Sequence, residues 1–217
     1  MRASIQKGRA RRYVLALALA LSLSAPSARA TDVYTDKTTF LNHVQTGYYR
    51  ETFDSLPEFD VVDTPASFSG NGFSFDATTA ADVLYGISVG AGDNALSTNL
   101  EQDDIVLSFT SGNVTAIGGS FFQTDINGVA QPGDVTVTLN DGTSKVLTST
   151  ETDPQPFVGF TTTPTQFITS LTMSTPANWN TINNLYVGQV VPGPDSLVVF
   201  LGAGLSSAGL LFRRRRK

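Results

Sequence analysis

Short runs of apolar residues, each broken by polar turn residues, fill most of this chain. In the clearest case valine and leucine alternate with threonine from Asp134 to Leu139, and Asn140-Asp141-Gly142 then turns the chain back into Ser144 to Thr148. A period of two that meets an Asp-Gly turn predicts a β-hairpin. Further strands are predicted at residues 68–75, 83–89, 105–109, 114–122, 157–160, 167–173 and 182–190.

These roughly ten threonine-rich runs at steady spacing predict an all-β fold, an antiparallel β-sandwich that is jelly-roll-like. One segment departs from the pattern. Phe40, Leu41 and Val44 fall at helical spacing between a cap at Asp36 or Thr35 and a stop at Gly47. We therefore expect one short N-terminal helix over residues 36–45, packed at the edge of a sheet.

The first 30 residues have the layout of a secretory signal peptide. Five basic residues lie between residues 2 and 12, and an uncharged apolar run follows from Val14 to Leu23. Ala28-Arg29-Ala30 then provides a cleavage site, with Thr31 as the first residue of the exported chain. The alternative is an uncleaved N-terminal anchor, for which the apolar run is short.

The C-terminus combines three features in a fixed order. Pro192-Gly193-Pro194 precedes an uncharged run from Leu197 to Phe212, and the chain ends in Arg213, Arg214, Arg215, Arg216 and Lys217. As a helix this run is roughly 24 Å long, a little less than the hydrocarbon core of about 30 Å, and the flanking arginines can snorkel. The terminal cations favour the cytoplasmic side, which places the rest of the chain outside.

This layout resembles the PEP-CTERM sorting signal of exopolysaccharide-producing Gram-negative bacteria, a segment also labelled the ice-binding protein C-terminal domain. The resemblance covers residues 191–217. It implies transient or anchored insertion in the inner membrane, processing near the tripeptide by an exosortase-type membrane protease, and delivery to the cell surface or the extracellular space. The usual glutamate of the tripeptide is Gly193 here, with Asp195 two places later. A plain C-terminal anchor is the alternative.

The chain thus divides into a signal peptide (residues 1–30), an extracytoplasmic β-sandwich domain (31–190) and the sorting segment (191–217), with a membrane helix over 196–212 and a basic tail over 213–217. Three stretches of the middle part also resemble the β-sandwich domains of PEP-CTERM proteins: Glu51-Thr52-Phe53-Asp54, Val114 to Phe122, and Ile182 to Gly188. This resemblance implies an outline like that of carbohydrate-binding sandwiches. Asn183 stands where many relatives have aspartate.

Charge separates the middle of the chain from its ends. Residues 31–191 hold three basic and eighteen acidic residues, a formal charge of −15, whereas the whole chain has −5. Such a surface repels nucleic acid and anionic lipid, so neither is an expected partner of this part. The carboxylates either bind divalent cations or simply keep the protein soluble. Cysteine is absent, so disulfides contribute nothing to stability.

Calcium is the cofactor that these acidic loops suggest, because it takes six to eight oxygen ligands. One cluster lies within twelve residues, and solvated loops are the alternative reading of it. The cluster consists of Asp93, Asn94, Glu101, Asp103 and Asp104. A second candidate, Asp125-Ile126-Asn127-Gly128, lacks the later glycine and glutamate of an EF-hand.

Catalytic patterns are weak. Gly86-Ile87-Ser88-Val89-Gly90 matches the nucleophile-elbow pattern, but no histidine follows Ser88. The single histidine, His43, is expected to be exposed or packed. A glycosidase needs two carboxyl groups about 5–10 Å apart, and Glu101 with Asp103 or Asp104 leaves that option open.

Sugar binding would use an aromatic platform, and three residues offer one: Trp179, Tyr85 and Tyr186. Trp179 is the first choice because Asn178 and Asn180 flank it in an expected loop.

The sequence therefore predicts a non-catalytic cell-surface or matrix protein that associates with exopolysaccharide, with calcium as one route. The alternatives are a structural or self-associating envelope protein and, third, a small glycan-active enzyme.

Overall fold

The computed structural model describes residues 31–81 and 83–193, which form fifteen β-strands and one short helix. The predicted signal peptide, Pro194, the membrane helix and the basic tail lie outside the described residues. Within the described ranges, no helix is both long enough and apolar enough to cross a membrane. The strands are β1 Asp32–Tyr34, β2 Tyr49–Glu51, β3 Asp60–Asp63, β4 Ala66–Gly70, β5 Phe73–Thr78, β6 Val83–Gly90, β7 Asp93–Thr98, β8 Ile105–Phe109, β9 Ala116–Thr124, β10 Ala130–Gln131, β11 Gly133–Leu139, β12 Ser144–Ser149, β13 Phe157–Thr161, β14 Ser170–Ser174 and β15 Trp179–Gly188.

The strands pair in two antiparallel sheets, which confirms the prediction of an all-β sandwich. The larger sheet has nine strands among the described residues, with the order β1-β13-β9-β15-β7-β6-β3, and β10 and β2 pair with β9 and β15. The smaller sheet has the order β12-β11-β14-β8-β5-β4. The predicted hairpin is confirmed as the antiparallel pair β11 and β12.

One apolar core lies between the sheets. It joins Phe121 and Ile182 of the larger sheet to Phe75, Leu107 and Leu171 of the smaller one, and all five side chains are fully buried. Because successive strand residues face opposite sides, the alternating pattern of each strand directs its apolar residues to this core. The alternation that predicted the strands is therefore also the pattern that fills the core.

The predicted helix forms, but it is shorter than expected. Helix α1 covers Lys37–Leu41, and Asp36 caps it by accepting a hydrogen bond from the Thr39 backbone N–H at 2.7 Å. This hydrogen bond is the largest of the effects that lower the pKa of Asp36. The helix ends early because the chain beyond it pairs with residues 189–191, through the bonds Gln45 N–H to Gln189 O and Val191 N–H to His43 O, both 2.8 Å.

Several predicted strand boundaries are wrong. The strand expected from Phe167 begins only at Ser170, since Ile168 instead donates its backbone N–H to Val114 O outside the ladder. The last strand begins at Trp179, three residues earlier than expected, because β9 and β7 offer partners to that part of the chain. Trp179 therefore lies in a strand and not in a loop.

Candidate functional site

The outer face of the larger sheet is divided into two halves. Leu84, Leu96 and Ile182 belong to the core, so the adjacent Tyr85, Ser97 and Thr181 lie on the outer face. Helix α1 covers the half formed by β13, β9 and the end of β15. There a second apolar cluster holds Phe40, Val44, Ala116 and Tyr186. The other half, over β6, β7 and the start of β15, is open.

A cleft of about 290 Å³ lies on this open half. Three aromatic residues, Phe59, Tyr85 and Trp179, line it together with the aliphatic Ile126. Its polar lining includes Ser97, Asn99 and Asp125. The volume is near the lower end of the range for ligand pockets, about 300–1,000 Å³. This site, called the aromatic cleft below, has the size and the mixed lining of a site for a small ligand.

Trp179 is held in a fixed orientation in the aromatic cleft. Its indole Nε1–H donates to the Asn99 backbone oxygen at 3.1 Å, and the ring stays half-buried. Tyr85, on the neighbouring part of the same face, is also half-buried. Sequence reasoning had named both residues as sugar platforms, and the structure brings them together. Tyr186 lies elsewhere, in the apolar cluster of the helix-covered half that also holds Phe40.

Free polar groups and fixed hydroxyls accompany these rings. Among the described residues, the Tyr85 hydroxyl and the Asn99 side-chain amide make no hydrogen bond within the protein. Beneath them the hydroxyl of Ser97 lies 3.0 Å from that of Thr181, which lies 3.0 Å from that of Thr124. Ser97 also donates to the Asn180 backbone oxygen at 3.1 Å. The cleft thus combines a rigid floor with unpaired groups at its sides.

The turn between β9 and β10 brings Ile126 to the cleft. Asp125 Oδ1 accepts the backbone N–H groups of Asn127 and Val129, both at 2.9 Å, and Oδ2 accepts from the Gln131 side chain at 3.3 Å. This arrangement leaves the Ile126 side chain 73% exposed. The carboxylate that the sequence suggested as a second calcium ligand therefore holds its own turn in place.

Phe59 reaches the cleft from the segment between β2 and β3. Asn94 anchors that segment, because its backbone N–H donates to Asp54 Oδ1 at 3.3 Å and its side chain to the Leu56 carbonyl at 3.0 Å. Phe59 itself has a φ of 52° and is 48% exposed. Sequence reasoning missed Phe59, Ile126 and Asn99, since no local pattern links them to Trp179.

The predicted calcium residues do not converge on one point. Asp93 begins β7 and accepts a hydrogen bond from the buried Asn183 side chain at 3.0 Å. Asp103 lies beyond the other end of β7, whose six residues span roughly 20 Å, and accepts from the Thr79 hydroxyl at 2.6 Å and the Ala81 N–H at 3.0 Å. Within residues 31–81 and 83–193, no group of three or more His, Cys, Asp or Glu side chains is placed to hold a metal ion. Calcium binding stays a prediction.

Glu101 and Asp104 are close to Asp103 in sequence, but they do not share its hydrogen-bond partners among the described residues. Burial, and after it the neighbouring Asp103 carboxylate, raise the pKa of Asp104 above its usual range. Because the pKa of Asp104 is raised in the folded protein, ionisation of its carboxyl group lowers the free energy of unfolding at pH values above that pKa. This loss of stability disappears at low pH, where Asp104 is protonated in both the folded and the unfolded chain. Asp103 and Asp104 thus repel each other locally.

The remaining sequence candidates have structural partners. Ser88 lies in β6 and donates its hydroxyl to the Gly90 carbonyl at 3.0 Å. A strand followed by the β6–β7 turn is not the strand-to-helix turn that a nucleophile elbow requires. The exposed His43 lies just past α1, where its Nδ1 is 2.8 Å from the Thr39 carbonyl and its ring is 4.9 Å from that of Tyr34.

Comparisons with known proteins identify no family for this chain. No protein-family model matches the chain, and no curated protein sequence matches it. The fold and the site together define its class: a two-sheet antiparallel β-sandwich with an aromatic-lined cleft on the outer face of the larger sheet.

Proposed function

We propose that this chain is an exported, non-catalytic cell-surface or extracellular-matrix protein whose jelly-roll-like sandwich binds exopolysaccharide in the aromatic cleft. The observation that supports this most is the meeting of Trp179 and Tyr85 in one cleft beside unpaired polar groups. A sugar ring has an apolar face that stacks on aromatic rings, and its hydroxyl groups bond to polar side chains around them.

The other two functions have less support from the described residues. A glycan-active enzyme needs two carboxyl groups across the sugar, whereas Asp125 is the one carboxylate among the described residues that line the cleft. One route to a self-associating envelope protein is the pairing of an edge strand with another copy. The edge strands β1 and β3 of the larger sheet carry Asp32, Asp60 and Asp63, and charged edges oppose such pairing. The edge strand β4 of the smaller sheet carries no charged residue, so it is the edge that this alternative would use.

Trp179→Ala tests the proposed site. We expect it to weaken binding to the producing cell's exopolysaccharide on the order of 30-fold, or about 2 kcal/mol, as for a central aromatic contact. Affinity electrophoresis of the full-length protein, purified in detergent, measures the change. Runs with calcium and then with a chelator show in parallel whether Glu101, Asp103 and Asp104 contribute through a bound cation.

Phe167→Ala is the matched control for this test. Phe167 is 46% exposed and lies outside the cleft, so its removal should leave binding unchanged. Equal binding by wild type and Trp179→Ala would refute the proposed site. Loss of polymer length during incubation would instead favour the glycan-active enzyme, and an ordered multimer without glycan the self-associating protein.

The C-terminal segment supplies the sorting half of the proposal. Deletion of residues 197–217 should remove membrane retention, so that the truncated protein is soluble in the envelope or medium while wild type passes through the membrane fraction. Cell fractionation with antibody detection measures this distribution. Disruption of the exosortase-type protease should leave full-length protein in the membrane. An unchanged wild-type pattern in such cells would identify the segment as a plain anchor.

A further inference from the structure

We infer that the aromatic cleft selects sugars without acidic groups, so that neutral and amine-bearing residues bind and uronic or sulfated residues are rejected. This inference rests on the proposed function and adds the chemical class of the ligand. It follows from the charges that surround the cleft and from the hydrogen bonds that fix one of them.

The cleft contains a carboxylate and no compensating cation. Asp125 lines it, and none of the described lining residues is basic. The three basic residues of the exported part lie elsewhere. Lys37 is on helix α1, Arg50 is bound to the Asn184 side chain above Tyr186, and Lys145 is on β12 at the edge of the other sheet. An anionic sugar would therefore enter the cleft without a partner for its charge.

The Asp125 carboxylate is unable to turn away from such a ligand. Two backbone N–H groups hold Oδ1 and the Gln131 side chain holds Oδ2, so the carboxylate keeps its position. A carboxylate has about four acceptor positions, and the three bonds leave one of them free. Hydroxyl and ammonium groups can donate to that position, whereas an ionised carboxylate or sulfate has no proton to donate.

Exposed acidic residues that are close in sequence to lining residues act in the same direction. Glu58 and Asp60 flank the lining residue Phe59 and are exposed, and Glu101 is exposed two residues after the lining residue Asn99. Like charges that line a cleft add their fields, which lowers the local concentration of anions and raises that of cations. This longer-range part of the selectivity is expected to weaken as salt is added.

A matched set of oligosaccharides tests the inference on full-length protein in detergent. The probes are a neutral glucan, the same glucan oxidised to the uronic acid at C6, and an amine-bearing glucosamine oligomer of equal length. At low salt we expect the oxidised probe to bind at least about tenfold more weakly than the neutral one, and the difference to shrink in high salt. Equal or tighter binding of the oxidised probe would overturn the inference.

Asp125→Asn separates the fixed carboxylate from the general charge of the domain. Asparagine keeps one acceptor oxygen for the backbone N–H groups, but its amide nitrogen only donates, so the bonds from the Gln131 side chain and from a ligand hydroxyl are lost for both probes. The measured quantity is therefore the ratio of the two affinities, and we expect the oxidised probe to gain about fivefold or more relative to the neutral probe. Asp134→Asn is the control. It removes the same charge on β11 of the smaller sheet, where Asp134 accepts from the Thr148 hydroxyl. An equal gain from Asp134→Asn would refute the role of Asp125.

The two proposals fail in different ways. If no probe binds and the cell's own polymer is not retained, the proposed function is refuted and the inference falls with it. If Trp179→Ala reduces binding of neutral and oxidised probes alike from similar starting affinities, glycan binding holds and only the charge selectivity is wrong.

Discussion

Phe121→Ala is expected to lower the free energy of unfolding by about 3–5 kcal/mol, the usual cost of removing a fully buried phenylalanine. Phe121 lies in β9 opposite Ile182 of β15, and its side chain is fully buried in the core between the sheets. The chain contains no cysteine, so no disulfide offsets the loss. The expected change is a large part of the total stability of a typical domain, about 5–15 kcal/mol.

Thermal and urea unfolding followed by circular dichroism measure this effect. For a domain of this size a loss of 1 kcal/mol lowers the melting temperature by about 2–4 °C, so we expect a drop of about 6–20 °C. Phe167→Ala removes an exposed phenylalanine and should change stability by less than about 0.5 kcal/mol. If Phe121→Ala does not fold, Phe121→Leu gives the smaller step. A matching small effect of Phe121→Ala and Phe167→Ala would contradict the described core.

Gly86→Ala should both destabilise the fold and disturb the aromatic cleft. A β-carbon at Gly86 would lie 2.1 Å from the Pro57 carbonyl oxygen and 3.0 Å from the Leu56 β-carbon. The first contact is with backbone, so the segment between β2 and β3 must move. Overpacking of this kind costs about 1–3 kcal/mol. Because that segment carries Phe59 to the cleft, glycan affinity should fall together with stability.

Gly90→Ala, in the same strand, is the matched control. A β-carbon there would have one neighbour within 4 Å, the Asp93 β-carbon at an ordinary 3.7 Å. Alanine in a strand loses less chain entropy on folding than glycine, so stability should stay the same or rise slightly. Unfolding experiments measure the stability of both variants, and affinity electrophoresis measures their glycan binding. A Gly86→Ala protein that is as stable as Gly90→Ala and binds glycan as tightly would contradict the described packing of Pro57 on β6.

Residue type alone identified two of the aromatic residues that line the candidate site. Trp179 and Tyr85 were found in the sequence because large aromatic rings with a polar edge are the residues that stack on sugars. Their meeting was not predictable, since 94 positions separate them and pairing of β6, β7 and β15 brings them together. Phe59 and Ile126 gave no signal, because their exposure depends on turns anchored by Asn94 and Asp125.

The acidic cluster shows why closeness along the chain does not by itself place side chains together. Asp93 and Asp103 are near in sequence, and that proximity suggested one calcium site. An extended strand separates its ends by about 3.3 Å per residue, so β7 carries the two carboxylates apart. Short distance along the chain predicts closeness in space for a turn or a helix, but it predicts separation for a strand.

The sequence by itself determined the all-β class and the β11–β12 hairpin, and it limited the N-cap of α1 to Thr35 or Asp36, since these follow from local alternation, turn chemistry and capping. The structure has Asp36 as the N-cap. Tertiary structure decided where α1 ends, because residues 43–45 pair with a segment near residue 190. It also decided which aromatic residues form the cleft and which, like Tyr186, are covered by the helix. The reason is physical: local patterns fix the conformation of a segment, whereas a site on a sheet depends on strand order, which arises from contacts between residues far apart in the chain.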